Sequence, residues 1–212
     1  MKITFLSDQG SWKNPSIAAI ATRLRKKGHV VKTLHATAPV PKGDILFILG
    51  FFQIVKPDIL SRNKTNIVVH ESALPKGRGM SPVTWQVLEG ARRIPMTLFE
   101  AVEKVDAGKI YLRGGVPLKG HELLPEIRQK VAGEMVRLCE AFVRRYPAIL
   151  RRGQVQKGAS TYYPWRKAED SRLDPQKSIA SQFNLLRTVD NTSYPAFFTY
   201  RGATYTLKIE KK

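Results

Sequence analysis

Asp44-Ile45-Leu46-Phe47-Ile48-Leu49 is the stretch on which the fold class turns. After one acid it is apolar without a break. A strand with one wet face alternates apolar and polar residues. An unbroken run of this length belongs to a strand covered on both faces, as in a parallel sheet between helical layers. Working outward, Lys2–Leu6 is rich in strand formers and reads as a first strand. Pro15 opens a helical pattern in which Ile17, Ile20, Ala21 and Leu24 recur at i, i+3, i+4 and i+7, and Gly28 closes it. Val30–Leu34 is a second strand and Ile67–Val69 a later one. Strands alternating with helices predict an α/β fold, a mainly parallel twisted sheet flanked by helices.

The longest helical pattern is His121–Tyr146. Leu124, Ile127, Val131, Met135, Leu138 and Phe142 share one face, while Arg128, Lys130 and Arg137 take others. Met135 and Cys139 fall among the core positions, not among ligands. Arg151 to Ser171 is polar and aromatic without a period and reads as a connection. Beyond it, Ile179–Val189 is helical in pattern. Phe197–Tyr200 and Thr204–Ile209 flank Arg201-Gly202-Ala203 as a β-hairpin. The expected organisation is a main domain over 1–150 and a small helix-plus-hairpin unit over 151–212.

Composition is that of a globular chain, with 42% hydrophobic and 25% charged residues among 212. The longest apolar run, Ile45 to Phe52, is too short to cross a bilayer. The apolar start at Met1–Leu6 is too short for a secretory signal. The single Cys139 cannot form an internal disulfide. These features predict a cytoplasmic protein with no membrane partner. Charge is the unusual feature: 36 Lys and Arg against 17 Asp and Glu, a formal +19. Such a field draws anions. Nucleic acid, a nucleotide diphosphate and a basic surface without a dedicated partner are all compatible with it. The basic residues fall in short clusters, Arg23–Lys27, Arg144–Arg152 and Lys208–Lys212, not in the continuous run of a nucleic-acid arm.

No metal spacing is present among His29, His35, His70, His121 and Cys139. There is no dinucleotide or P-loop glycine motif and no nucleophile elbow. What stands out is His70-Glu71-Ser72-Ala73-Leu74-Pro75-Lys76-Gly77-Arg78-Gly79, directly after a buried strand. A titratable ring at a strand's carboxyl end, followed by a glycine-rich loop, sits where open α/β sheets place ligands. The glycines allow close backbone approach, and Arg78 between them is suited to a two-pronged grip on phosphate. A surface loop with an incidental histidine is the plainer alternative.

This segment resembles the H-x-S-L-L-P-x-x-R-G signature of folate-dependent formyltransferases. Three more pieces follow the family's order. Gly50–Leu60 is similar to the loop that borders the folate pocket. Pro95–Glu100 is similar to the strand after the signature. Val105-Asp106-Ala107-Gly108 is similar to the D-x-G segment with the catalytic aspartate. Tyr162-Tyr163-Pro164-Trp165-Arg166-Lys167, Asp174 and Tyr194–Phe198 resemble the tails of formyltransferases acting on nucleotide-linked amino sugars. The family places Asn two residues before the histidine. Here Val68 stands there, and the His-Glu-Ser variant resembles the pseudaminic-acid type, whose acceptor is a UDP-linked 4-amino-4,6-dideoxy sugar.

The resemblance implies a formyltransferase with a Rossmann-like domain that uses 10-formyltetrahydrofolate and no metal. It implies His70 and Asp106 as catalytic residues. His70 would donate a hydrogen bond to the formyl oxygen as negative charge develops there, and Asp106 would help collect the amine proton. Taken without the resemblance, Asp106-Ala107-Gly108 is equally good turn chemistry. The folate would be held by Phe51, Phe52, Ile54, Leu98, Glu100 and Asp106. The acceptor would meet Glu71, Ser72, Lys76, Arg78, Gly79, Tyr163, Arg166 and Arg187, with the C-terminal unit as a substrate-binding extension. Trp165, Phe197 and Tyr200 are further aromatics for a base to stack on, and each also fits a core. Three alternatives stand beside this reading. Glycinamide ribonucleotide as acceptor is disfavoured by the missing glycine-rich phosphate loop at Ser7–Trp12. Methionyl-tRNA suits the charge, but the residues after Arg151 leave little room for an RNA-binding barrel. A basic nucleic-acid-binding module lacks any recognised binding motif.

Overall fold

The apolar run at 44–49 lies at the centre of the structure, a computed structural model that describes residues 1–212. It forms β3 (Gly43–Ile48), paired in parallel with β1 (Lys2–Leu6) on one side and β4 (Asn63–His70) on the other. Side chains alternate between faces along each strand. Phe5 and Phe47 stack at 5.2 Å on one face, and Phe142 of α4 (Leu124–Arg145) meets Phe47 edge-on at 6.1 Å. Leu6, Leu46 and Ile48 point the other way, into a smaller cluster with Ile59 of α2 (Pro57–Leu60). Helix α1 (Asn14–Lys26) buries Ile17, Ile20, Ala21 and Leu24, the four residues of the expected face.

Six strands make one sheet in the order β2-β1-β3-β4-β6-β7, with β2 (Val30–Leu34) at one edge. Four of them are parallel. β6 (Arg93–Glu100) and β7 (Ile110–Pro117) run antiparallel to their neighbours, so the sheet is mixed. β7 carries no strand signal because Gly114-Gly115 reads as a turn. Space explains the pair: a Cβ at Gly114 would strike the Glu134 carboxylate, and one at Gly115 the Arg93 guanidinium.

Helix α4 begins at Leu124, three residues later than its pattern. The Glu126 carboxylate accepts a hydrogen bond from the Leu123 N–H at 2.9 Å, and Pro125 sits in the first turn. Met135 and Cys139 are fully buried in it. Past α4, the connection contains β8 (Tyr162–Tyr163), which pairs in parallel with β5 (Arg78–Gly79), 84 residues earlier. The helix expected over 179–189 is a 3-10 turn, Ala180–Gln182, and one turn of α5 (Phe183–Leu186). Ser178, Ser181 and Gln182 bond to local backbone there, in competition with a longer helix. The hairpin of β9 (Ala196–Tyr200) and β10 (Ala203–Leu207) turns through Arg201 and Gly202, both at positive φ, as a two-residue hairpin loop requires. No helix is long and apolar enough to cross a membrane.

Candidate active site

Strand β4 ends on His70, which is buried with 8% of its surface exposed. Its Nε2 lies 2.8 Å from the carbonyl oxygen of Gly77. A carbonyl only accepts, so Nε2 carries the hydrogen and the neutral ring has its lone pair on Nδ1. Gly77 is at φ +68 and a Cβ there would crowd Ser72 and the Tyr163 ring, so the turn that brings this carbonyl to the histidine requires glycine. The next residue of the signature, Glu71, is buried in an ion pair with Lys13. Burial alone would push the Glu71 carboxyl up; the Lys13 ammonium and His70 together hold it below the ordinary carboxylate value. Gln86 of α3 (Pro82–Leu88) fixes the Glu71 carbonyl at 2.7 Å.

Asp106 approaches from the loop between β6 and β7, at φ +53. Its Oδ2 accepts a hydrogen bond from the Gly79 N–H at 3.2 Å, and Gln156 donates to the carbonyls of Asp106 and Gly108 at 2.9 and 3.0 Å. His70 and Asp106 line one cavity of about 980 Å³. Phe51, Phe52, Ile54, Val55, Val68, Phe99 and Val105 give it a large apolar share of wall. Trp12, Arg128, Trp165, Arg166, Asp190 and Tyr194 complete the lining, with Trp165 in contact with Phe52. The C-terminal stretch therefore folds back over the sheet's carboxyl edge and closes the site.

Of the expected folate residues, Phe51, Phe52, Ile54 and Asp106 line the cavity. Leu98 does not. It is fully buried in the main core, while its neighbour Phe99 faces the cavity, because alternate residues of β6 point to opposite faces. Glu100 is also outside the lining, at the start of the β6–β7 turn. Of the acceptor candidates, Glu71, Gly79 and Arg166 line the cavity. Ser72 is buried behind it, and Lys76 is exposed outside it.

Three expected contacts are engaged elsewhere. Arg78 turns its guanidinium to Gln156 at 2.9 Å and the Tyr162 hydroxyl at 3.4 Å, so it braces the Asp106 loop instead of facing the cavity. Tyr163 bonds Glu89 at 2.7 Å and stacks on Trp85. Arg187 is buried against Glu122. Trp165 reaches the rim edge-on to Phe52, whereas Phe197 and Tyr200 lie outside the lining. Asn66 bonds the Leu60 carbonyl at 3.0 Å and does not reach the cavity, in line with its position two residues before Val68.

The site also holds residues with no motif to announce them. Arg128 of α4 pairs with Asp190 at 2.9 Å and lies 5.7 Å over the Trp12 ring, while Lys13 lies 5.4 Å from the same ring. The only sequence signal was that Arg128 lay off the apolar face of α4. The charge is not gathered here either: Lys13, Arg128, Arg166 and Lys167 are opposed by Asp8, Glu71, Glu103, Asp106 and Asp190.

Gly79 ties these parts together. A Cβ there would run into the Tyr163 carbonyl oxygen, and its φ of +93 disfavours any side chain. Gly79→Ala is expected to cost at least about 2 kcal/mol through backbone strain and lost β5–β8 pairing. It should also lower turnover by displacing the N–H that holds Asp106. A urea melt and a kcat measurement check this. A variant with wild-type values of both would refute the arrangement.

The family model described as formyl transferase matches residues 1–141. A methionyl-tRNA formyltransferase of Synechococcus sp. (strain JA-3-3Ab) is 29% identical over 170 residues, covering 78% of this chain. The chain spans about half, 51%, of that relative's length. Among solved structures, HypX from Aquifex aeolicus in complex with tetrahydrofolic acid superposes with a TM-score of 0.77 at 19% identity, over 99% of this chain and 37% of HypX. A sugar N-formyltransferase from Shewanella sp FDAARGOS_354 gives a TM-score of 0.72 at 12% identity, over 100% of this chain and 98% of its own. At such identities these two structures speak for the fold.

Proposed function

This chain belongs to the formyl transferase family, and we propose that it moves a formyl group from 10-formyltetrahydrofolate to the amine of an acceptor in the cavity shared by His70 and Asp106. The observation that carries the proposal is an imidazole anchored through Nε2 and a carboxylate held by the Gly79 N–H, both lining one cavity with a largely apolar wall. Phe51, Phe52, Ile54, Val68, Phe99 and Val105 would hold a flat, largely apolar donor. Bound there, the donor supplies the formyl carbon. The chain must then take a proton from the attacking amine and offset negative charge on the formyl oxygen. With Nε2–H committed to Gly77, a neutral His70 accepts a proton at Nδ1. Only the charged ring can donate there, so the anchored tautomer favours His70 as the base. This differs from the expectation that His70 is the hydrogen-bond donor. Asp106 would then steady the charge that the ring gains.

For the acceptor, the finer reading is a nucleotide-linked amino sugar of the UDP-4-amino-4,6-dideoxy type. Its support is the wall built by the C-terminal stretch, which brings the Arg166 guanidinium to the cavity. A planar guanidinium suits phosphate oxygens. The extension over 151–212 would in this reading be the acceptor-binding part. Methionyl-tRNA is the second reading. It is favoured by the Synechococcus relative, the likeness with the higher sequence identity.

One experiment separates them. The purified chain is given 10-formyltetrahydrofolate with a panel of UDP- and dTDP-linked amino sugars, glycinamide ribonucleotide and methionyl-tRNA. Each acceptor is then examined by mass spectrometry for the gain of one formyl group. Formylation of a sugar nucleotide supports the finer reading. Formylation of methionyl-tRNA alone replaces it, and no formylation of any amine sinks the transfer proposal.

A further inference from the structure

A second cavity, of about 720 Å³, opens at the other end of α4. Its walls are the first half of β7, the last turn of α4 and the 3-10 turn Ala148–Arg152. Arg144 lies sixteen residues along α4 from Arg128, about 24 Å by helix rise. A ligand here is therefore remote from the acceptor wall of the first cavity.

Arg113, Arg144, Arg145 and Arg152 line this cavity, and no Asp or Glu does. None of the four is in an ion pair. Arg113 donates to the Leu74 carbonyl at 3.1 Å and keeps its other donors free. The negative end of the α4 dipole accounts for Arg144 and Arg145 in the last turn. It does not account for Arg113 on a strand or Arg152 beyond the helix, converging on the same space. Two lining rings are held rigidly. Tyr111 and Tyr146 both pack on the fully buried Phe142, at 5.5 and 6.2 Å. Burial, with Glu100 nearby, pushes the Tyr111 hydroxyl up to about 12, so the ring adds no negative charge at neutral pH.

We propose that this cavity is a binding site for a nucleoside polyphosphate, with the phosphates among the four guanidinium groups and the base against Tyr111 and Tyr146. Planar guanidinium forks match phosphate oxygens two at a time. Aromatic faces accept any base ring. The volume falls in the range of roughly 300–1,000 Å³ used for small ligands. The cavity holds one nucleotide by volume, and the RNA arm of the test below separates a free nucleotide from a nucleic-acid strand. Gln154 is the only uncharged amide in the lining, so the site should discriminate weakly among bases. The inference is independent of the acceptor's identity.

The test is fluorescence anisotropy of mant-ADP titrated with the intact chain at roughly 0.15 M salt, where long-range attraction is screened. Saturable binding is expected, displaced by ADP and UDP within about threefold of each other and less well by pyrophosphate. The double variant Arg144→Ser/Arg152→Ser should weaken binding about tenfold or more, with an unchanged melting curve and unchanged formyl-transfer kcat. Both positions are exposed, so folding is not at stake. Absence of saturable binding overturns the proposal, as does binding that the double variant leaves intact. So does a single-stranded RNA oligonucleotide that binds where ADP does not.

Discussion

Replacing His70 with alanine is expected to lower kcat by on the order of 10²-fold or more, with KM for the donor little changed. The ring is anchored at Nε2 by Gly77, and its other nitrogen has no partner in the chain. Under the proposed mechanism its removal deletes the proton acceptor but leaves the apolar part of the cavity wall intact. Asp106→Ala should fall in the same range if, as proposed, its carboxylate steadies the charge that the ring gains. Asp106→Asn separates charge from position: it keeps a hydrogen-bond acceptor for the Gly79 N–H, so the loop should stay in place while turnover drops. Asn66→Ala should do far less, since its side chain bonds Leu60 away from the cavity. Steady-state kinetics with a melting curve for each variant decide the matter. Near-normal kcat in a folded His70→Ala protein would remove the histidine from the mechanism.

The second large effect concerns stability. Arg187→Ala is expected to destabilise the chain by about 3 kcal/mol, the usual cost of stripping one partner from a buried pair. Arg187 and Glu122 are each buried to within 3% of full cover, joined at 3.1 Å, and Arg187 Nε also donates to the Glu122 carbonyl at 2.9 Å. Burial would push the Glu122 carboxyl up. The N–H groups of Lys119 and Gly120 and the ammonium of Lys130 outweigh it and hold the group well below the ordinary carboxylate range. A depressed carboxyl contributes stability that is present above its unfolded value and lost as pH falls through the folded one. Wild-type stability should therefore fall on acidification below the ordinary carboxylate range, and Glu122→Gln should flatten that limb. Urea melts across pH measure both. Glu122→Ala should cost more than Arg187→Ala, since it also strips the Lys119 and Gly120 N–H groups and the Lys130 ammonium of their acceptor. Equal or smaller damage in Glu122→Ala would contradict this account.

What could be read from the sequence follows from the range of the forces involved. The central strand, α1, α4 and the closing hairpin carry periodicity or turn chemistry within a few residues, and each is found near its expected place. His70 at a strand's end was legible for the same reason, whereas the Phe51–Ile54 loop was marked only by its resemblance to the family's folate-pocket loop. The reversal at β6 and β7 was not, because strand direction is set by how the chain returns to the sheet. The pairing of Gly79 with Tyr163 joins residues 84 apart and leaves no local mark. Arginines were the least legible. Arg78 and Arg187 look like phosphate ligands by type, yet long side chains take the nearest buried acceptor, here Gln156 and Glu122. Arg128, off the apolar face of α4, is at the site because that helix starts beside the cavity and Asp190 meets it there.

Under the proposed function, the strand pair β5–β8 also links acceptor binding to donor binding. The backbone at 78–80 holds the C-terminal wall with one set of hydrogen bonds, Arg78 N–H to Thr161 and Met80 N–H to Tyr163. With the Gly79 N–H between them it holds Asp106. An acceptor that draws the wall inward would thus shift the same peptide units that hold Asp106, a proposed donor-site residue. If it raises donor affinity by some factor, the donor must raise acceptor affinity by that same factor. Dissociation constants for each ligand, with and without an unreactive analogue of the other, would give this linkage as a single free energy.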